Sequence, residues 1–374
     1  MDEPDRSLAQ SRRICDTSTL PDRSKPQRRP SRSQRRHKHV TLKDVADYVG
    51  LSPATISLVM NHAPVADSIP RATQERIFAA ARELNYRPSF SARWARTARS
   101  FTVGVLVPEV SEGYASLVLS GIEGHLLREG YFYLVASHRH LDDLIDEYPR
   151  LLLARSVDGM IAVDTPCPGN LPIPVATVSG EVREDGVTSI ILDHDRAAEL
   201  ALHHLVKLGH RQIAFIKGQE FSSDTAARWR SINSAARKLG LEVSPKLTVQ
   251  LEGDLASPEL GYRVTKRLLE RKVRFTALFA FNDVSAIGAI EALRSAGLEV
   301  PDDVSVVGFD DIQNAAYHRP QLTTVRQPLK KMGMIAAEAL LRRIARPDDD
   351  SYPRQIVIEP ELAIRKSTAP VPHD

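Results

Sequence analysis

Between residues 41 and 61 the chain reads TLKDVADYVGLSPATISLVMN, two short helical runs parted by a glycine and restarted at once by Leu-Ser-Pro. Thr41 is placed to cap the first run, with Asp44 at the third helical position as a variant of the capping box. Val45, Ala46 and Val49 form its apolar stripe. Gly50 ends it, because glycine accepts the left-handed backbone needed past a helix end. Ser52 caps the second run, and Pro53 stands at its first position, where a missing N–H costs nothing. Ile56, Val59 and Met60 face inward, and a third helix is expected from Arg71 to Leu84 with Ile77, Ala80, Ala81 and Leu84 at helical spacing. Helix, glycine turn and second helix together make a helix-turn-helix. Ser52, Pro53, Ala54, Thr55 and Ser57 keep the start of the second helix small, so that its backbone can approach base edges, and a helix N-terminus favours phosphate. The alternative is an ordinary three-helix bundle with no ligand.

Charge placement separates these readings. The first 100 residues hold 19 Lys and Arg against 10 Asp and Glu, while the remainder holds 31 against 37, so a basic front precedes a mildly acidic body. That asymmetry points to a nucleic-acid-binding head on a separate globular part. Residues 1–38 are rich in Arg, Ser, Pro and Gln, nearly lack apolar residues, and read as a disordered basic extension. Residues 88–100 carry Arg93, Arg96 and Arg99 and are too short for a helix stable by itself, so they read as a linker that folds only when held, or as a plain basic linker. Cys15 and Cys167 cannot make a disulfide framework or a four-ligand zinc site, which fits a reducing compartment. No apolar stretch reaches about 18 residues, and the basic N-terminus lacks a signal peptide's apolar core, so a cytoplasmic location is expected.

From Phe101 the pattern changes to strand-helix alternation. Apolar runs at 102–107, 133–137, 157–163, 175–179, 212–216, 277–281 and 304–309 read as strands, with helical stretches such as 115–129, 195–208, 225–239, 258–271 and 283–296 between many of them. That is a parallel α/β body, and its length suggests two similar lobes. Ligands of open α/β sheets bind beyond the carboxyl ends of strands, which directs attention to the segments after Val107, Asp193, Phe281 and Phe309.

In series, the helix-turn-helix, the Arg-rich linker and the α/β body resemble the lactose-repressor/galactose-repressor (LacI/GalR) family of bacterial transcriptional regulators. The resemblance covers about residues 40–365 and is carried by VTLKDVADYVGLSPATISLVMN (40–61), ARELNYRPS (81–89), LVKLGHRQIAFIKG (205–218), FAFNDVSAIGAI (279–290), VPDDVSVVGFDDI (300–312) and LTTVRQP (322–328). It implies a helix-turn-helix domain over 39–87, a hinge helix over 88–100, and a two-lobed periplasmic-binding-protein-like effector and dimerisation domain over 101–365, with 366–374 as a tail. The implied partners are a roughly palindromic double-stranded DNA operator, a small-molecule effector such as a sugar or related metabolite, and a second copy of the chain, as a homodimer or a dimer of dimers. No cofactor is implied. The implied DNA-contacting residues are Thr41, Ser52, Pro53, Ala54, Thr55, Ser57, Leu58, Asn61, Tyr86, Arg93, Trp94, Ala95 and Arg96. Two of them depart from the family pattern. Leu58 stands where an Arg often reads guanine, and offers only apolar contact or inward packing. Ala95 stands where a Leu usually wedges between base pairs, which leaves the adjacent Trp94 as the candidate wedge, or as a ring packed on the body.

The resemblance also carries over an effector set of Tyr114, His194, Arg228, Leu255, Asn282 and Asp310. Carboxylate, guanidinium and amide groups beside an aromatic face suit a polar small molecule. Each residue has a plainer alternative: core packing for Tyr114, a structural partner for His194, an exposed helix charge for Arg228, a helix cap for Asp310. Leu255 replaces a stacking aromatic, which makes ring stacking from that side doubtful. No GxGxxG, P-loop or GxSxG is present, and adjacent His203 and His204 point to different helix faces, so neither catalytic nor metal-binding residues are expected. Abundant Asp and Glu read as mostly solvated helix faces. The competing class is a solute-binding protein of a transporter, which shares the body fold but would not carry residues 1–60; a DNA-binding architectural protein with a dead cleft is a third.

Overall fold

The computed structural model describes residues 40–61, 64–86, 99–110, 113–166, 171–180, 186–253, 257–347, 349 and 351–371. The chain divides into two compact units, residues 1–89 and 90–374. Residues 88–98 of the expected hinge segment, with Arg93, Trp94, Ala95 and Arg96, lie outside the described residues, as does Leu255.

The first unit holds α1 (Leu42–Val49), α2 (Pro53–Met60), a 3-10 turn (Pro64–Ser68) and α3 (Arg71–Glu83). Each boundary follows from local chemistry. The Thr41 backbone N–H donates to Asp44 Oδ2 at 2.7 Å while Asp44 N–H donates to Thr41 Oγ1 at 3.3 Å, closing the reciprocal cap. Gly50, at φ 73°, donates its N–H back to Ala46 and lets the chain leave the helix. Ser52 Oγ then accepts the Thr55 N–H at 3.1 Å, and Pro53 opens α2. The three helices close over Val45, Ala46, Ile56, Val59, Ile77 and Ala80, with Ala66 of the 3-10 turn filling the remaining side. Gln74 fastens that turn to α3 by donating to the carbonyls of Ala66 and Ile69.

The second unit is two α/β lobes. The first lobe contains β1 (Thr102–Val107), α4 (Tyr114–Arg128), β2 (Phe132–Ser137), α5 (Asp142–Ala154), β3 (Gly159–Val163), β4 (Val175–Val178) and β5 (Val187–Leu192). The second contains α6 (His194–Lys207), β6 (Ile213–Lys217), α7 (Thr225–Lys238), β7 (Thr248–Gln250), α8 (Pro258–Glu270), β8 (Ala277–Phe279), α9 (Asp283–Ser295), β9 (Ser305–Asp310), α10 (Gln313–Tyr317) and β10 (Thr323–Arg326). Then α11 (Leu329–Ala345) returns to cover α4, β3, β4 and β5, β11 (Gln355–Ile358) joins the first sheet beside β5, and β12 (Glu361–Ala363) joins the second beside β10. The sheet orders are β11-β5-β4-β3-β1-β2 and β12-β10-β9-β8-β6-β7, parallel throughout except for β12. The chain therefore passes between lobes after β5, after β10 and after β11.

Each lobe contains one helix pair in backbone contact. A Cβ on Gly121 of α4 would overlap the Lys330 carbonyl, and one on Gly333 of α11 would overlap that of Val118. Gly261 of α8 and Gly288 of α9 stand in the same relation to the carbonyls of Ser285 and Pro258. Glycine is required at all four positions by close approach.

The seven strands and five helices read from the sequence are present, with boundaries shifted by a few residues. The expected tail is corrected in part: residues 366–371 are tied into the second lobe. Ser367 is fully buried, its hydroxyl donates to the Val306 carbonyl at 2.6 Å, and Val371 N–H donates to Leu208 O at 2.9 Å. Ser367 and Ser305 also exchange hydrogen bonds with neighbouring backbone, which leaves this stretch no freedom to trail away.

Candidate functional site

In the first unit α2 turns Ile56 and Val59 into the core and leaves Ser52, Pro53, Ala54 and Asn61 exposed, with Thr55, Ser57 and Leu58 half-buried. The exposed groups are already engaged locally. Ser52 Oγ and Thr55 Oγ1 are 2.9 Å apart, and Asn61 Nδ2 donates to the Ser57 carbonyl at 2.6 Å. The second helix thus offers a small, uncharged surface whose polar atoms are held in place by its own ends. Thr41 is exposed on α1's cap, and Tyr86 is half-buried against the three-helix core.

In the second unit four of the effector candidates meet at one cavity of about 90 Å³, walled by Tyr114, Arg228, Asn282 and Asp310 together with Asp164, Asp224 and Phe221. At roughly 30 Å³ per water in the liquid, that is room for a few waters or one small polar molecule. Tyr114 opens α4 immediately beyond β1, Asn282 caps α9 beyond β8, and Asp310 ends β9, so strand ends deliver three of the four. Arg228 comes from one turn inside α7.

Arg228 is the centre of the arrangement. It is 4% exposed, its Nη1 donates to the Phe281 carbonyl at 2.5 Å, and its Nη2 lies 3.4 Å from Asp224 Oδ2. Its guanidinium carbon sits 3.7 Å from the Phe309 ring centroid and 4.4 Å from that of Phe281. Its Nε is buried with no partner, a donor left for something in the cleft. Arg228 is therefore a buried, stacked cation and not an exposed helix charge.

Asp224 receives the Ser179 hydroxyl at 3.0 Å on one oxygen and faces His194 Nε2 at 3.4 Å on the other. Burial favours its neutral form, but His194, Arg228 and Ser179 outweigh burial and hold the carboxyl below its usual range. Tyr114 hydrogen-bonds Ser179 through its hydroxyl, and burial, followed by the charges of Asp224 and Asp164, pushes the phenol well above its ordinary value. His194 does not line the cavity: it stands behind Asp224, with Nδ1 buried and unpartnered. That placement is the structural-partner alternative weighed for it.

Asp310 accepts from Gln327 Nε2 at 2.7 Å and has a left-handed backbone, φ 113°. Burial pushes it up to about 7, restrained by Arg228 and Gln327 and reinforced by Asp224 and Asp164. It does not cap the helix after it, because the N–H of Ile312 donates instead to Asp283 Oδ2 at 2.9 Å. Asn282 spends its side-chain oxygen on the Ser285 N–H at 2.8 Å, and no partner is recorded for its amide nitrogen among the described residues.

Sequence reasoning passed over Asp164, Asp224, Phe221 and His140. Asp164 follows β3, so the strand-end rule already applied to it, yet Val163 was not among the ends singled out. It reaches from the first lobe to the second, accepting from Ser223 N–H at 2.9 Å and Ser223 Oγ at 2.6 Å. Burial, then the charge of Asp224, raises its pKa. Beside it His140 of the first lobe lies on Phe221 of the second, ring centroids 3.8 Å apart. Neither partner of that pair carries a signal in the sequence alone. Four carboxylates, those of Glu109, Asp164, Asp224 and Asp310, share the wall with the one guanidinium of Arg228, exceptions to the reading of Asp and Glu as mostly solvated surface.

These parts define a class: a helix-turn-helix head joined to a two-lobed body of the periplasmic-binding-protein type. Family models agree, matching bacterial regulatory proteins of the lacI family over residues 41–89 and a periplasmic binding protein-like domain over 202–368. The HTH-type transcriptional repressor PurR of Haemophilus influenzae is 33% identical over 336 residues, covering 87% of this chain and 98% of that protein. PurR of Yersinia pestis is 34% identical over 343 residues, covering 89% and 98%. Among solved structures, the lac repressor dimer bound to operator and the anti-inducer ONPF superposes with a TM-score of 0.76 at 28% identity, over 89% of this chain and all of that one. The complex of the transcriptional regulator CelR with cellobiose gives 0.64 at 27% identity, over 88% and 99%. A LacI-family regulator from Enterococcus faecium with bound ribose gives 0.64 at 29% identity, over 72% and 99%. The chain belongs to the lacI family of bacterial regulatory proteins and is a DNA-binding transcriptional regulator.

Proposed function

We propose that this regulator is a cytoplasmic homodimeric repressor that reads a palindromic operator through Thr41, Ser52, Pro53, Ala54, Thr55, Ser57, Leu58, Asn61 and Tyr86, with Arg93, Trp94, Ala95 and Arg96 completing the contact. Its operator affinity is set by an uncharged polyhydroxylated effector, a sugar or close relative, in the cleft of the body. The observation that carries this reading is the convergence of Tyr114, Arg228, Asn282 and Asp310 on one cavity. Solved relatives hold cellobiose and ribose, which supports the same class. Four carboxylates supply acceptors for ligand hydroxyls, Arg228 supplies the donor, and the excess of negative charge opposes phosphates and carboxylates.

Closure follows from the groups that span the cleft. Asp164 with Ser223, and His140 with Phe221, join the lobes only while these are close. A ligand that binds the closed and open arrangements with a tenfold difference shifts their balance by roughly 1.4 kcal/mol. Operator binding titrated with neutral mono- and disaccharides and with their phosphates tests the proposal. A neutral sugar is expected to change affinity tenfold or more. Response only to phosphorylated sugars, or to none of the panel, overturns the assignment of effector class.

A further inference from the structure

A second depression lies on the second lobe, at the β7 edge of its sheet, and its chemistry is the reverse of the cleft's. It encloses about 410 Å³ and is walled by Lys217, Trp229, Gln250, Glu252, Arg267 and Arg271 among others. Among the described residues Glu252 is its one carboxylate, and that group is taken by Arg267, whose two terminal nitrogens each lie 3.3 Å from the same oxygen. Lys217 donates to Gln250 Oε1 at 3.1 Å and hangs 5.4 Å from the Trp229 ring centroid. Arg271 is fixed by one nitrogen, Nη1, which donates to the carbonyls of Pro245, Lys246 and Thr248 at 3.0–3.2 Å. Among the described residues neither cation is matched by an acid in the groove, and the rest of Arg271's planar fork is free of those carbonyls.

We propose that this groove is a second ligand site, for a small molecule bearing a phosphoryl group. An immobilised guanidinium fork with a nearby ammonium is the arrangement that suits phosphate oxygens, and an indole beside it accepts the face of an attached ring. The groove also has a route to the cleft. Gln250 bridges the two: its oxygen holds Lys217, and its nitrogen donates to the Gly218 carbonyl at 2.9 Å. Gly218 is wedged against Phe281 and Thr225 with no room for a Cβ, and the next residue, Gln219, is part of the cleft wall. Trp229 follows Arg228 directly on α7. An anion that draws Lys217 off Gln250 therefore acts on the loop and the helix that shape the effector cavity.

The chain has two tryptophans, so full-length protein with Trp94→Phe reports on Trp229 alone. Pyrophosphate is titrated at constant ionic strength while Trp229 emission is followed. A saturable change is expected, weakened at least tenfold by Lys217→Glu and retained by Arg263→Gln, a change to an exposed residue of α8 paired with Glu259. Gln250→Glu, which places a carboxylate against Lys217, serves if Lys217→Glu alters the circular dichroism. An absent response, one reproduced by sodium chloride, or one unchanged in both groove variants overturns the proposal.

Discussion

The start of α2 and the cleft, the two proposed binding surfaces, are built on opposite physical terms. At α2 the polar groups are exposed or half-buried, neutral and hydrogen-bonded within their own turn: Ser52 to Thr55, Asn61 to Ser57. In the cleft they are buried and charged, and each is held by a different element: Arg228 of α7 by the Phe281 carbonyl, Asp310 of β9 by Gln327, Asp164 by Ser223 across the lobes. An exposed neutral site is altered without loss of fold. A buried charged one couples ligand, protonation and stability, because each charge depends on its partner.

The largest test of that contrast is Arg228→Ala. It leaves Asp224 buried beside His194 without its guanidinium, and a loss of about 3–5 kcal/mol in urea denaturation of the body is expected, together with loss of effector response. An unfolding free energy within 1 kcal/mol of wild type (roughly the median worth of an exposed ion pair) breaks the contrast. Next is the protonation of Asp310. Its carboxyl is raised to about 7 in the fold and lies near 3.9 unfolded, so between those values the native state holds the proton that the unfolded state has lost. Its contribution to stability is therefore present at low pH and lost as pH rises through about 7. Asp283 is raised by burial and by the Asp310 charge, and adds a fall of the same sign. Asp310→Asn is expected to flatten, though not abolish, the decline measured by thermal unfolding between pH 5 and 8, a range chosen to bracket the upper value of about 7. An unaltered slope removes Asp310 from the account.

At α2 the effects are smaller and selective. Leu58→Arg is expected to add a guanine preference worth about 1–3 kcal/mol in competition between operator variants, with the head's melting unchanged. An unchanged preference would place position 58 against the protein and not the DNA. Smallest is Ser52→Asp, which keeps an acceptor for the Thr55 N–H. Ser52→Ala should cost about 1 kcal/mol of head stability, whereas Ser52→Asp should retain stability yet weaken DNA binding by repelling phosphate. Equal behaviour of the two variants in both assays would show that the hydroxyl is only a cap.

The same contrast explains what the sequence disclosed. The head was legible almost to the residue, since Thr41, Asp44, Gly50, Ser52 and Pro53 act on neighbours two to four positions away. In the body the stretches named from the sequence were legible by period, the three-residue β8 among them, whereas β5, β7, β10, β11, β12 and the helices α5 and α11 were not named. Of the residues that wall the cavity, Tyr114, Arg228, Asn282 and Asp310 were named through the family resemblance. Asp224 was not, because in SSDTAAR it looks like a solvated helix start. Its burial depends on His194, thirty residues earlier, and on Ser179, from another lobe.

Three strands of backbone run from one lobe to the other, and two of them are laced together where Asp193 N–H donates to Ile358 O at 2.9 Å. Tethers placed side by side permit a swing about the line that joins them, while they resist stretching and spinning. With the helix pairs inside each lobe meeting backbone to backbone, little slack exists to absorb a displacement locally. A tightening of a fraction of an ångström around a sugar would thus be delivered, like the squeeze on a pair of tongs, as a wider sweep at the tips farthest from the pivot.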